Sequence, residues 1–271
     1  MNLARKLAAG LFLLYLAVFP GSAVVVALDR VPAWGGWMGG ALLLAQGAAA
    51  LFWLVGFYGR RGALAGLAVL LLAWGVEHLG VRSGFPFGRY AYTTMLQPQL
   101  FGVVPLPIAC AWLMVAAGSW QIAGAVARTE AMRAPIVATL VLLLDLQIET
   151  VATRVNSYWT WHDSGWYYGV PGANFVAWWL VGLLMAFAVA RILPRAEAAP
   201  LRAGRRFPPS ADGIPAALYM LSTLMFTVVN LARGYPLAGL IGLGVLLGAA
   251  LWLLPLRIRV PLPARDAREA E

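Results

Sequence analysis

The chain has 271 residues, of which 62% are hydrophobic and 11% charged, with a formal net charge of +9. A soluble domain carries about 25% charged residues and cannot bury this much apolar surface, so a soluble globular protein and a disordered chain are both excluded. The basic residues lie between apolar runs and form no continuous patch, which excludes a nucleic-acid binder.

A helix needs about 20 apolar residues to cross a membrane, and eight segments of the chain provide them. The first, 7–28, follows Arg5 and Lys6. It has no small-residue cleavage site, so it reads as a spanning helix rather than a signal peptide. The next are 35–58 and 62–81, parted by Arg60 and Arg61, then 102–127 and 134–153. The last three are 173–193, 213–232 and 235–256. Residues 194–212 read as a hydrophilic linker and 257–271 as a basic tail, so residues 1–256 form a single polytopic membrane domain. The expected fold class is an all-α integral membrane protein with about eight transmembrane helices. With the N-terminus in the cytoplasm, fifteen Lys and Arg fall on the cytoplasmic side and five on the other. The positive-inside rule therefore places both termini in the cytoplasm. Glycine pairs at spacing four, Gly35/Gly39, Gly36/Gly40, Gly62/Gly66 and Gly244/Gly248, are expected to serve packing within the chain. The single cysteine, Cys110, allows no internal disulfide. The two histidines, His78 and His162, supply too few ligands for a Cys/His zinc site.

An ionisable side chain inside a span is a functional candidate by default. Glu77, Asp145 and Glu149 lie well within predicted spans, and Asp29 marks the end of one. In the expected topology Glu77, His78, Asp145, Glu149, Asn174 and Asn230 with Arg233 all fall near one depth, toward the outer face. Asp145 and Glu149 are four residues apart, on one helix face about 6 Å apart along the axis. Two buried carboxyls that close tend to share a proton, and a neutral carboxyl can serve as a general acid. The alternative is structural: the acids pair with Arg82, Arg89, Arg154 or Arg233, and His78 fills an interior site.

Two loops above these helices, 82–101 and 154–175, are aromatic rather than the Gly/Ser-rich composition of a passive connector. Tyr and Trp also anchor membrane interfaces, but aromatic faces stabilise cations. Acids beneath aromatic walls suit protonation of an alkene. The plan occurs twice: Glu77 precedes Gly102-Val-Val-Pro105, and Glu149 precedes Gly169-Val-Pro171. This is the pattern of a parallel repeat of helix pairs.

Glu77, Gly80, Gly84-Phe-Pro-Phe-Gly88-x-Tyr90-x-Tyr92 and Gly102-x-x-Pro105 together resemble the membrane carotenoid biosynthesis hydratases. That family includes γ-carotene 1′,2′-hydratases and bisanhydrobacterioruberin hydratases. A second block fits as well: Trp159-x-Trp161, Tyr167-Tyr-Gly-Val-Pro171, Asn174-Phe175 and Trp178-Trp179. The resemblance covers about residues 60–190. Two positions depart from the family pattern. Thr150 stands where a proline after the second acid is expected, which leaves that helix straighter, and Gln97-Pro98 replaces a Gly-Pro pair.

The resemblance implies cofactor-independent addition of water to the terminal double bond of an acyclic ψ-end group, giving a tertiary alcohol. For that reaction the residues themselves suggest Asp145 or Glu149 as proton donor and Glu77 as the group that positions or deprotonates water. Arg82 and Asn174 orient the acids, and Tyr90, Tyr92, Trp159 and Trp161 line the cation site. Phe85, Phe87, Asn156, Tyr167 and Tyr168 complete the substrate-binding set. The partners implied are a carotenoid taken from the lipid phase, water, the membrane and other carotenoid biosynthesis enzymes. The location implied is a bacterial or archaeal cell membrane. A transporter, a polyprenyl transferase and a non-catalytic carotenoid-binding protein are the rival readings. The transferase is disfavoured by the lack of Asp-rich, Mg²⁺-holding motifs.

Overall fold

The computed structural model describes residues 1–127, 129–194 and 213–253. The tail 257–271 and nearly all of the linker 194–212 lie outside the described residues. Seven α-helices dominate: α1 (Leu3–Ala27), α2 (Met38–Ser83), α3 (Leu106–Val126), α4 (Glu130–Thr150), α5 (Gly172–Ile192), α6 (Ile214–Ala232) and α7 (Pro236–Leu253). Six helical stretches are long and apolar enough to cross a membrane, and α7 is apolar but shorter.

The two expected segments 35–58 and 62–81 are one helical element, α2, broken at Gly59. Gly59 has φ 55° and ψ −131°, a region that is in practice open only to glycine. The double-arginine boundary read from sequence is thus a kink without a loop. The break frees backbone carbonyls, and the start of α1 supplies donors. Asn2 Nδ2 and Arg5 Nε each donate to Gly56 O at 3.0 Å. Gly62 and Gly66 then let the second half of α2 pack back on Leu51 and Leu54 of the first. Gly39 makes room for the Tyr158 side chain. Gly244 and Gly248 face open space, so the packing role expected for that pair is not met among the described residues.

The fold is mostly helical, as expected, and the loops add short strands. Strand β1 (Tyr90–Tyr92) pairs antiparallel with β4 (Trp159–Trp161), matching Tyr90 with Trp161 and Tyr92 with Trp159. Strands β2 (Gln99–Leu100) and β3 (Val104–Pro105) form a small hairpin. The β1–β4 ribbon joins the two aromatic loops into one cap, and its edge is stapled by Arg89 and Asp163. Asp163 Oδ2 accepts the Arg89 backbone N–H at 2.7 Å, and Oδ1 lies 2.7 Å from the guanidinium.

The two halves paired in the sequence share local features. In both halves an aromatic-Gly pair turns at positive φ: Phe101 (53°) with Gly102 (66°), and Tyr168 (50°) with Gly169 (88°). Such turns match the twist of paired strands. The first is followed by Val-Val-Pro and the second by Val-Pro, and Pro105 and Pro171 occupy the N-caps of α3 and α5. Trp112 and Trp178 each lie seven residues further on, and their rings stack at 3.7 Å with 16° between planes. The second half of α2 and α4 run toward the ribbon; α3 and α5 run away from it.

Beyond α4 the chain turns through a π-helical segment, Val151–Val155, with Asn156 N–H bonded to Val151 O at 2.8 Å. The straighter helix expected at the site of the missing proline is therefore not found: the wide turn follows Thr150 directly. Thr150 Oγ1 pairs with Asn230 Oδ1, and Asn230 Nδ2 donates to Gln147 O at 2.9 Å, which ties this end of α4 to α6.

Candidate functional site

Strand geometry sends alternate side chains to one face. Tyr90, Tyr92, Trp159 and Trp161 therefore point together from the ribbon into the helices, while Ala91 and Thr160 point away. Beneath them Glu77 comes from the last turns of α2 and Glu149 from the end of α4. Glu77 is 4% exposed and Glu149 1%.

Each carboxyl is held by neutral donors. Glu77 Oε2 accepts the Tyr90 and Tyr92 hydroxyls, the second at 2.7 Å, and Oε1 accepts Trp112 Nε1–H at 2.9 Å. Glu149 Oε2 accepts Trp161 Nε1–H at 2.9 Å and Trp159 Nε1–H at 3.3 Å, and Oε1 accepts Asn174 Nδ2 at 3.1 Å. The same Asn174 amide donates to Asp145 Oδ2 at 3.0 Å. One amide thus bridges the two acids spaced four apart. Burial, and then the neighbouring Glu77, push the Tyr90 and Tyr92 phenols above their ordinary range. Both therefore stay protonated as donors across the working pH range.

Gly80 lies one turn beyond Glu77. A Cβ there would sit 2.8 Å from the Tyr90 hydroxyl and 2.8 Å from the Phe87 ring. Only a glycine lets the ribbon descend far enough for Tyr90 to reach Glu77.

Glu77, Glu149, Asn174 and the four ribbon aromatics line one cavity of about 130 Å³. That is about tenfold the ~10–15 Å³ that one water occupies on the same measure, so an apolar end group and a water fit together. Phe87, Asn156, Trp112 and Trp178 are also in its wall. The rest is mainly apolar, drawn from α1, α2, α3 and α6. A larger apolar groove of about 960 Å³ lies toward the other ends of the helices and holds no carboxylate.

Several of the expected site residues lie outside this cavity wall. Asp145 is fully buried but is not in the cavity wall: it stands behind Asn174, with Oδ1 unpartnered. Arg82 is exposed and touches none of the acids. Five residues on a helix turn the side chain about 140° away from Glu77. Phe85 is 68% exposed and outside the cavity. Tyr167 and Tyr168 form a separate cluster with Phe175 and Tyr235. Their hydroxyls serve backbone, Tyr167 donating to Leu146 O at 2.6 Å and Tyr168 accepting Leu237 N–H at 3.1 Å. His78 leans on Trp74, ring centroids 5.0 Å apart, outside the cavity wall.

The structural reading of the acids also fails in its specifics. Among the described residues no arginine pairs with them: Arg89 binds Asp163, Arg233 binds Asp29 at 3.0 Å, and Arg154 donates to Tyr168 O at 2.8 Å.

The sequence reading missed Trp112 and Trp178 as wall residues. Their common spacing after the two Val-Pro caps was the available signal. It also missed Gln46, Tyr15 and Ser222, which come from helices outside the repeat.

No solved structure matches this chain. Bisanhydrobacterioruberin hydratase of Haloarcula japonica is 30% identical to it over 127 residues. That match covers 45% of this chain and 43% of the relative, so it spans less than half of the relative's length. The family model described as carotenoid biosynthesis protein matches residues 38–250, which include α2 to α6, both aromatic loops and the three buried acids. The chain belongs to the carotenoid biosynthesis protein family.

Proposed function

We propose that this protein is a carotenoid hydratase, adding water to the terminal 1′,2′ double bond of an acyclic ψ-end group to give a tertiary alcohol. The observation that carries the reading is the cavity itself, in which two carboxyls from equivalent places in a repeat face one aromatic chamber with no cation among the described residues. The hydratase named among the relatives supports it.

In this reading the end group enters the chamber and the less substituted alkene carbon takes a proton from Glu149. The tertiary cation that forms is stabilised by the faces of Tyr90, Tyr92, Trp159 and Trp161. Water held by Glu77 adds to it, and Glu77 takes the proton released. The halves of the repeat differ where this division requires it. Positions four before Glu149 and three after Pro171 carry Asp145 and Asn174; the matching positions before Glu77 and after Pro105 are Ala73 and Ile108. The second half thus has an extra carboxyl beside Glu149, and two buried carboxyls that close tend to keep one proton between them. Asp145 acts through Asn174 and Glu149 and is a positioning residue.

The chamber lies toward the outer face of the cell membrane. The two halves of α2 count as separate crossings and α7 as the last, which makes eight spans with cytoplasmic termini. The carotenoid reaches the chamber from the lipid phase.

Expression in a host that makes lycopene or γ-carotene tests the reaction: a product heavier by 18 mass units is expected. Glu149→Gln and Glu77→Gln are each expected to lower conversion about 100-fold or more, the range for loss of a general acid or base. Full conversion by both variants would sink the assignment.

A further inference from the structure

We propose that Trp178 of α5 is a positioning residue for water capture: stacked on Trp112, it fixes the indole that aims Glu77 Oε1 at the attacking water. The inference rests on the function proposed above and deepens it. It names the oxygen of Glu77 that holds water and the side chain that keeps it in place.

The two oxygens of Glu77 are not equally occupied. Oε2 accepts the hydroxyls of both Tyr90 and Tyr92, whereas Oε1 accepts the Trp112 Nε1–H at 2.9 Å. A carboxylate oxygen accepts about two hydrogen bonds, so Oε1 is the atom with a lone pair left for water. Glu77 and Trp112 both line the chamber. The direction of that lone pair depends on the N–H already bound to the same oxygen, and the N–H moves with the plane of the indole.

Trp178 sets that plane. Its ring lies against Trp112 with centroids 3.7 Å apart and 16° between planes, and the two residues are 8% and 0% exposed. Trp178 does not repeat the bond that Trp112 makes: the donors to Glu149 are Trp159, Trp161 and Asn174. Asn174 stands four residues before Trp178, on the same helix face. One face of α5 therefore serves both acids. Asn174 bonds Glu149 directly, and Trp178 reaches Glu77 through Trp112. Loosening Trp112 leaves Glu149 and the ribbon aromatics in place but misplaces the water, so the cation forms and is not captured.

The cation has two fates. Water adds to the tertiary carbon and gives a proton to Glu77, or a carbon beside the cation loses a proton to a chamber acid and an alkene re-forms. In D₂O the proton that Glu149 delivers is a deuteron. The first fate then yields the alcohol and the second a deuterium-labelled hydrocarbon.

The full chain in lipid vesicles is given lycopene or γ-carotene in D₂O, and the ratio of labelled hydrocarbon to alcohol is read by mass. Trp178→Leu and Trp178→Met are each expected to raise this ratio about threefold or more, the scale of one lost aromatic stacking contact. Trp178→Phe is expected to restore most of the wild-type ratio. Trp112→Phe, which removes the N–H, should raise the ratio as well, and adding Trp178→Leu to it should raise it no further, because the two residues act in series. The inference is overturned if the Leu and Met variants leave the ratio unchanged, or if the double variant multiplies the two effects. It is also overturned if both products fall together at constant ratio, the pattern of a lost cation-facing ring, or if neither variant folds, the pattern of a packing role. An unmoved ratio in a protein that makes the alcohol sinks this inference alone. A wild-type protein that makes neither alcohol nor labelled hydrocarbon sinks the reaction assignment and this inference with it.

Discussion

Carboxyl groups bonded only to tyrosine, tryptophan and asparagine keep their oxygens available, because three neutral donors leave part of a carboxylate's accepting capacity unused. Glu77 and Glu149 thus tie the ribbon to α2 and α4 while keeping accepting capacity free toward the cavity. Asp163 shows the contrasting case at the surface. Hydrogen bonds from Arg89, side chain first and then backbone, hold its carboxyl below its ordinary value of 3.8. A group whose folded pKa is lowered contributes stability above its unfolded value and loses it as pH falls through the folded one. The ribbon staple should therefore be fully present above the ordinary value of 3.8 and be lost in stronger acid, as pH falls through the lowered folded value. Hydrogen exchange at Tyr90–Tyr92 checks this: protection should fall in acid, and Asp163→Asn should show reduced protection already at pH 7. Unchanged protection in the variant would mean the staple is idle.

At the scale of elements, the β1–β4 ribbon is the part that makes the site. Two three-residue strands are marginal alone; here they are held by their own side chains bonding to acids on two different helices. Gly80 sets how deeply the ribbon sits. Gly80→Ala should lower kcat by about tenfold or more, in keeping with the ~100-fold cost of misplacing reacting groups by about 1 Å. The protein should still fold, since Ala favours helix over Gly by about 1 kcal/mol. A drop in folded yield with normal activity per molecule would contradict this. Short aromatic strands inside long loops were not legible beforehand: Tyr-x-Tyr and Trp-x-Trp show the period of a strand, but nothing in one sequence says that residues 90–92 and 159–161 pair.

For the whole molecule, the arrangement is a repeat of two helix pairs, with α1, the first half of α2, α6 and α7 around it. The added helices close one side of the cavity and bring Gln46, Ser222 and Tyr15. The eight-span topology is checked by cysteine labelling in intact cells after Cys110→Ala. Ser164→Cys should react with a membrane-impermeant thiol reagent, and Leu3→Cys should not. Labelling of both from the same side would overturn the orientation drawn from arginine counts.

Hydropathy and the few charges determined most of the coarse description. The membrane class, the placement of the apolar segments and the three buried acids were readable because each is a local property of composition or spacing. The sequence also contained the aromatic motifs that carry the family resemblance. Tertiary structure decided what the polar residues do. It set Glu77 and Glu149 in one chamber, put Asp145 behind Asn174, turned Arg82 outward and sent Tyr167 and Tyr168 to backbone partners. Those outcomes depend on which faces of separate helices meet, and on a glycine that allows two elements to touch. Such relations between distant segments have no signature in the order of residues along one chain.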